Sequence, residues 1–330
     1  MRRRAHWITQ VKGKALSLSN RDRSRRTCLS VPGSSEKMLR KAQGLSVDMV
    51  FLDLEDAVAP PAKEAARHQV VAALNEGSWA GRVVSVRIND ATTPWALDDL
   101  TTVVRGAGAI LDSVMLPKCS EPAQVHWLDR SLSMLEASSG VEPGSIAIEL
   151  QIEDAAGLTA IDAICAASAR TVALHFGPGD FQASLGIAST ALGTLDPAYP
   201  GDPLHHVLGR ILVAGRAQGL QVLDGPHPAI HDLEGLRASA RRVAAMGYDG
   251  KWVLHPAQID TVNEAFTPAL EQYERAERVL DAYAHATSTE GGARGAVMLD
   301  GEMVDEATRK MALVTAARGR AAGLSARAPG

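Results

Sequence analysis

From residue 27 onward, short β-branched runs alternate with longer segments in which apolar residues recur at helical spacing. The runs cover 28–31, 49–54, 83–88, 113–116, 146–152, 171–176, 220–223 and 251–254. Between them, segments such as KEAARHQVVAALNEG, AGLTAIDAICAASA and LEGLRASARRVAAMG read as helices, with Gly at or near their C-terminal ends. Eight such repeats predict the α/β class and, within it, a (β/α)8 TIM barrel rather than an open doubly wound sheet, which usually has fewer strands and a Gly-rich first turn. Neither GxGxxG nor a Walker A sequence stands where a nucleotide fold needs one. The longest piece outside the repeat, 187–203, is a Gly-, Pro- and Thr-rich excursion long enough to be functional.

After Pro256 the pattern changes. Residues 269–286 predict a helix, HATSTEGGARG (285–295) a flexible linker, and 296–323 a short strand, a turn at Asp300-Gly301 and a final helix. The barrel is therefore assigned to 27–267, and 268–330 to a C-terminal helical extension that barrel closure does not need.

At 330 residues the chain suits one barrel with an appendage. A net charge of −4 with scarce aromatics points to neither a nucleic-acid nor a membrane partner. The charge is uneven, however: residues 1–26 carry nine Lys or Arg against Asp22 alone, a local +8 that leaves −12 for the rest. That segment reads as a basic, unstructured arm or leader. No apolar signal core follows it and no run of eighteen apolar residues exists, so the chain reads as intracellular and cytoplasmic. Cys28, Cys119 and Cys165 are odd in number and scattered, which favours buried thiols over disulfides or a zinc knuckle.

In a barrel of this type the chemistry collects where the strands end. Reading only those positions gives VFLDLEDAVAP, where Asp53, Glu55 and Asp56 crowd together and call for a positive partner. Glu153 and Asp180 end neighbouring strands and offer hard oxygens without a soft ligand, which suits Mg²⁺, with Mn²⁺ as a substitute. Helix capping is the plain alternative for both. With a metal there, Glu55 and Asp56 would hydrogen-bond its waters, and the cation would be the positive partner. Arg87 is either a satisfied ion pair or a second electrophile that holds an oxygen as charge develops. Lys118 allows a Schiff base, but acids nearby favour a charged, ion-paired lysine. Zinc is a weaker rival: His227 and His231 have i,i+4 spacing, but Pro228 makes a helix there doubtful, and His205-His206 are adjacent.

A family resemblance is carried by RRTCLSVPGS (25–34), VFLDLEDAVAP with Lys63 and Arg67, SVRIN (85–89), MLPK (115–118), IELQIEDAAGL (148–158), HFGPGDFQASLG (175–186), VLDGP (222–226), GKWVLHPAQI (250–259) and NEAFTP (263–268). In this order they resemble the citrate lyase β-subunit-like (HpcH/HpaI aldolase) superfamily of Mg²⁺-dependent acyl-CoA lyases, in particular its malyl-CoA/β-methylmalyl-CoA lyases. The resemblance implies a metal on Glu153 and Asp180, Arg87 on the substrate oxygen, and coenzyme A entering across the mouth. Positions 30, 35, 41, 254 and 255 would line the acyl-CoA site; Lys41, Leu254 and His255 fit, with Gly179 and Lys118 beside the substrate. Ser30 stands where an aromatic is usual and Ser35 where arginine is usual, so the grip on CoA would pass to Lys37 or Arg26. VMLDGEMVD matches a lid that reaches a neighbouring subunit and supplies an acid, here Asp305, implying a homo-oligomer, a trimer or hexamer.

The implied reaction is reversible Claisen-type cleavage of L-malyl-CoA or β-methylmalyl-CoA to glyoxylate plus acetyl-CoA or propionyl-CoA, with Asp305 moving the α-proton. Three other readings stay open: a citramalyl-CoA lyase giving pyruvate, a malyl-CoA thioesterase, and a citrate lyase β-type subunit that works only with partners.

Overall fold

The structure is a computed structural model that describes residues 23–188, 199 and 201–325. Most of the basic arm and most of the 187–203 excursion lie outside the described residues. The chain divides into two compact units between Val262 and Asn263.

In the first unit eight strands close into a barrel in chain order: β1 (Thr27–Pro32), β2 (Met49–Asp53), β3 (Val83–Arg87), β4 (Ser113–Leu116), β5 (Ala147–Ile152), β6 (Thr171–Phe176), β7 (Gln221–Asp224) and β8 (Gly250–Val253). Each lies within one residue of the run that predicted it. Every neighbouring pair is parallel, β8 closing onto β1. Side chains alternate between the two faces of a strand. Met49 and Phe51, Met115, Ala173, Leu223 and Trp252 thus share one buried apolar cluster. The same alternation continues from Met49 and Phe51 to Asp53, and register sets Asp53 directly beside Arg87.

Each of the first seven strands is followed by one or two helices. The segment after β5 is not one helix but two, Ala155–Thr159 and Ile161–Ala166, broken at Ala160.

The arm ends earlier than its charge suggested. Arg23 pairs with Asp112 at 2.5 Å, Arg25 with buried Glu149 at 3.2 Å, and Arg26 with Asp48 at 2.7 Å. These arginine side chains have partners up to 196 residues away, so no local pattern distinguished them from a solvated tail.

At the N-terminal end of the barrel, Arg170 fastens the Pro122–Ser139 helix to the sheet. It donates to both oxygens of fully buried Glu136 at 2.8 and 2.7 Å and to Asp129 at 2.9 Å.

The second unit holds the helices Leu270–Thr287 and Glu306–Ala321 and an antiparallel hairpin of β9 (Val297–Leu299) and β10 (Glu302–Val304). The expected turn joins two strands rather than one strand and a helix. Asp300 and Gly301 both have positive φ, +52° and +82°, the conformation of a two-residue I′ hairpin turn. The expected linker is folded too, since Ala293 and Arg294 donate backbone bonds to Ser288 and Ala286. Tyr273, Ala276, Val279, Val304, Ala312 and Ala316 form this unit's own core. Among the described residues, no helix is long and apolar enough to cross a membrane.

Arg170→Met should cost about 3–5 kcal/mol of stability, because Glu136 is left buried without a counter-charge, held only by the Gly144 and Ile146 N–H groups. Denaturant midpoints check this, and Arg170→Met combined with Glu136→Met should recover most of the loss.

Candidate active site at the barrel mouth

The acids of VFLDLEDAVAP find their positive partners within the chain. Arg87 forks onto Asp53, Nε to Oδ1 at 2.8 Å and Nη2 to Oδ2 at 2.6 Å, and its Nη1 lies 3.1 Å from Glu55. Burial opposes the Arg87 charge, but Asp53 and Glu55 outweigh it and raise its pKa. Lys118 Nζ pairs with Glu55 and, at 3.2 Å, with Asp56. Burial lowers the Lys118 pKa, yet these two acids raise it further, so it is a charged lysine unsuited to Schiff-base chemistry. The expectation that a metal ion balances this cluster is thereby corrected: side chains on β3 and after β4 do so, brought there by the barrel.

Glu153 and Asp180 are a different case. Burial raises the Glu153 pKa well above the carboxylate range, and the adjacent Asp180 carboxyl adds to the rise, against the opposing Lys118 N–H and Arg87. Neither residue caps a helix: Asp154 caps Ala155–Thr159, and Gly177 stands at the start of Pro178–Ser184. Each Glu153 oxygen is aimed by one donor, Oε1 by Lys118 N at 2.6 Å and Oε2 by Gln151 Nε2 at 2.7 Å. A carboxylate oxygen has room for more than one partner, so each oxygen keeps a lone pair for a further ligand. Among the described residues no three His, Cys, Asp or Glu side chains gather as a metal cluster. A two-carboxylate oxygen site of this kind fits Mg²⁺, which keeps most of its coordination for water and substrate.

Two backbone features make the pair possible. Lys118 holds a positive φ of +48°, rare for a residue with a side chain, and its N–H is the one bound to Glu153. A Cβ on Gly177 would meet Glu153 Cβ and Oε2 at 2.5 Å, so glycine lets the end of β6 lie against the glutamate.

The other expected residues are spread more widely. Ser30 is half-buried on β1, Ser35 caps the Glu36–Ala42 helix by accepting from Met38 N, and Lys37 and Lys41 are exposed on that helix. Leu254 is exposed at the end of β8, and His255 caps the following turn through Ala257 N. Gly179 and Asp180 are exposed on the first turn after β6. Arg26 does not reach the mouth: it precedes β1, at the opposite end of the strand, with Nε and Nη2 on Asp48. Asp305 belongs to the second unit and caps the Glu306–Ala321 helix, where the Thr308 N–H and hydroxyl hold its pKa below the ordinary range. His227 lies 3.3 Å from Asp232, not among metal ligands.

Four supporting residues carried no assigned role in the sequence. Asp53 is the Arg87 fork, Gln151 links Arg87 to Glu153, and buried Lys63 donates to Leu54 O, Glu55 O and Asn89 Oδ1, bracing the acidic loop. Gln151 was findable, since it stands two positions before Glu153 and so shares its face.

A model of the HpcH/HpaI aldolase/citrate lyase family matches residues 26–256. The chain belongs to that family. An L-malyl-CoA/beta-methylmalyl-CoA lyase of Cereibacter sphaeroides is 36% identical over 301 residues, 88% of this chain and 93% of the relative. A mitochondrial citramalyl-CoA lyase of Mus musculus is 33% identical over 317 residues, 93% of this chain and 90% of the relative. Among solved structures, the protein CitE from Mycobacterium tuberculosis, in complex with magnesium, acetoacetate and coenzyme A, matches with a TM-score of 0.69 at 31% identity, covering 91% of this chain and 99% of that one. Family membership agrees with the motif order read from the sequence.

In this member of the HpcH/HpaI family, a raised Glu153 pKa ties stability to pH. A carboxyl whose folded pKa exceeds its unfolded value of about 4.3 stabilises the fold at low pH and loses that contribution as pH rises through the folded pKa. In chelator, the Tm should therefore fall as pH rises above the ordinary Glu range, and Glu153→Gln should flatten the slope. Glu55, also raised by burial, supplies the remainder. Gly177→Ala should cost about 1–3 kcal/mol by overpacking against Glu153, measurable as a lower denaturant midpoint.

Proposed function

We propose that the chain is a Mg²⁺-dependent acyl-CoA carbon–carbon lyase that cleaves L-malyl-CoA or β-methylmalyl-CoA reversibly to glyoxylate and acetyl-CoA or propionyl-CoA. The observation that carries this reading is the pair of carboxyls Glu153 and Asp180, adjacent at the mouth with Arg87 beside Glu153. The names of the relatives support the substrate class, and the magnesium in the CitE structure supports the metal.

In this reading Glu153 and Asp180 hold the ion, which when bound supplies a Lewis acid for the keto-acid carbonyl. Arg87 then steadies the same oxygen as negative charge develops on it. Its Nε and one Nη2 hydrogen are engaged by Asp53 and its Nη1 by Gln151 and Glu55, so the substrate oxygen is met by the second Nη2 hydrogen. In cleavage the hydroxyl proton is released to solvent, the carbon–carbon bond breaks, and the thioester enolate gains a proton of solvent origin at its α-carbon. Asp305 of a neighbouring copy is proposed to return that proton and, in condensation, to remove it. A carboxyl held low by Thr308 is ionised at neutral pH, which suits the base. Lys118, with Glu55 and Asp56, keeps the acid cluster in place and orients Glu153 through its backbone. Ser30, Ser35, Lys37, Lys41, Gly179, Leu254 and His255 are proposed to receive substrate and CoA, with Arg26 no longer among them. The shared site implies a homo-oligomer, a trimer or a hexamer.

The test is to incubate purified protein and Mg²⁺ with malyl-, β-methylmalyl- or citramalyl-CoA and to identify the keto-acid. Glyoxylate is expected; pyruvate from citramalyl-CoA alone would shift the assignment toward the mouse relative, and free CoA without keto-acid would make it a thioesterase. Arg87→Ala should lower kcat by about a hundredfold to a thousandfold. If Asp305 acts across subunits, co-expressed Arg87→Ala and Asp305→Ala chains should regain activity that neither has alone; a mixture as inactive as its parts would remove the shared site.

A further inference from the structure

Within the barrel below Arg87 lies a line of polar side chains that the chemistry above does not use. Arg25, Glu149, His175 and Trp252 are all buried. Glu149 Oε1 accepts from Arg25 Nε and Nη2 at 3.3 and 3.2 Å and from Ser113 Oγ at 2.8 Å. Its Oε2 lies 2.6 Å from His175 Nε2, and Trp252 Nε1 donates to His175 Nδ1 at 2.7 Å. Indole only donates, so Nδ1 accepts and the imidazole hydrogen on Nε2 goes to Glu149. Burial pushes Glu149 up, but Arg25, with His175 and Ser113, outweighs it and leaves the carboxyl at about 2. The far end of the line meets the site: the Arg87 guanidinium lies 5.4 Å from the Trp252 ring centre and 5.8 Å from that of Phe51, and the two rings are 4.4 Å apart.

A buried charged group seldom stabilises a core better than apolar residues of the same volume, so this one calls for another reason. The line cannot carry protons to the mouth, because an indole N–H does not exchange roles and Arg87 stays protonated. What it does is immobilise an aromatic face. The Asp53 fork fixes Arg87 within the guanidinium plane, and tilt about the fork axis is restrained among its polar partners only at Nη1, by Gln151 at 3.3 Å and Glu55 at 3.1 Å. Ring faces resist that tilt through contact and cation–π attraction, provided that the rings cannot turn. His175, itself tied to Glu149 and through it to Arg25, prevents Trp252 from turning.

We infer that Trp252, pinned through its indole N–H by His175 and Glu149, is a positioning residue that sets the tilt of the Arg87 guanidinium. The inference rests on the reading of Arg87 as the group that steadies the substrate oxygen.

The test uses Trp252→Leu, which removes the aromatic face, and Trp252→Phe, which keeps a face but loses the pin, each alone and combined with Arg87→Ala. With Mg²⁺ and L-malyl-CoA, Trp252→Leu should lower kcat on the order of tenfold to a hundredfold while KM changes little, and Trp252→Phe, which keeps a face without the pin, should recover only part of the rate. In the Arg87→Ala background the same Trp252 changes should have almost no effect, because the group they act through is gone. A Trp252→Leu enzyme with wild-type kcat, or the same factor lost with and without Arg87, would overturn the inference. Should Trp252→Leu not fold, Trp252→Phe nearly preserves the volume, and its smaller loss must likewise vanish without Arg87. A crystal structure of either variant reads the inference without any reaction: a guanidinium tilted off the Asp53 fork supports it, and an unmoved one overturns it. An Arg87→Ala enzyme as fast as wild type would sink the reading of Arg87 itself, and would show as such in that single variant.

Discussion

Everything at the mouth depends on how carboxylates from separate strands are held close without forcing the barrel apart. Register places Asp53 beside Arg87, and their fork neutralises the innermost acid with good geometry in a place where an unpaired charge would be intolerable. Lys118 does the same for Glu55 and Asp56 from the other side. Once those acids are satisfied, Glu153 and Asp180 stand out as an adjacent pair, and burial first, with the Asp180 carboxyl adding to it, raises the Glu153 pKa. Perturbation of this kind, located in a cleft and traceable to named neighbours, is what a functional site produces.

The barrel makes the arrangement rigid in layers. At its N-terminal end, Arg170 and Glu136 fix a helix to the sheet. In its middle, an apolar cluster includes Trp252, the end of the Glu149–His175–Trp252 line. At its C-terminal end, the backbone takes over: the positive φ of Lys118 and the absent Cβ of Gly177 shape the space around Glu153. Strain at Lys118 is tolerated because its N–H and its ammonium are both engaged.

The second unit is built on different terms. Its small core joins two helices to a hairpin whose turn needs positive φ at both central residues, which Asp300-Gly301 provides. Asp305 emerges from this hairpin as a helix cap, so its charge state is set locally by Thr308 before any partner is considered.

Alternation of β-branched runs with helical spacing determined the eight strands to within a residue, because burial on both faces leaves a mark in every strand. Strand ends then marked Glu55, Asp56, Arg87, Lys118, Glu153 and Asp180 as candidates, since the fold sends such positions to one rim. Which acid meets which cation was decided only by the tertiary structure. Arg25, Arg26 and Arg87 are all arginines beside a strand, yet one enters the core, one braces the far end and one reaches the mouth. Their partners lie 124, 22 and 34 residues away, and closing the barrel is what brings them within reach. The sequence by itself could name the charges; only strand register and closure could pair them, because electrostatic attraction depends on distance in space and the chain order does not record it.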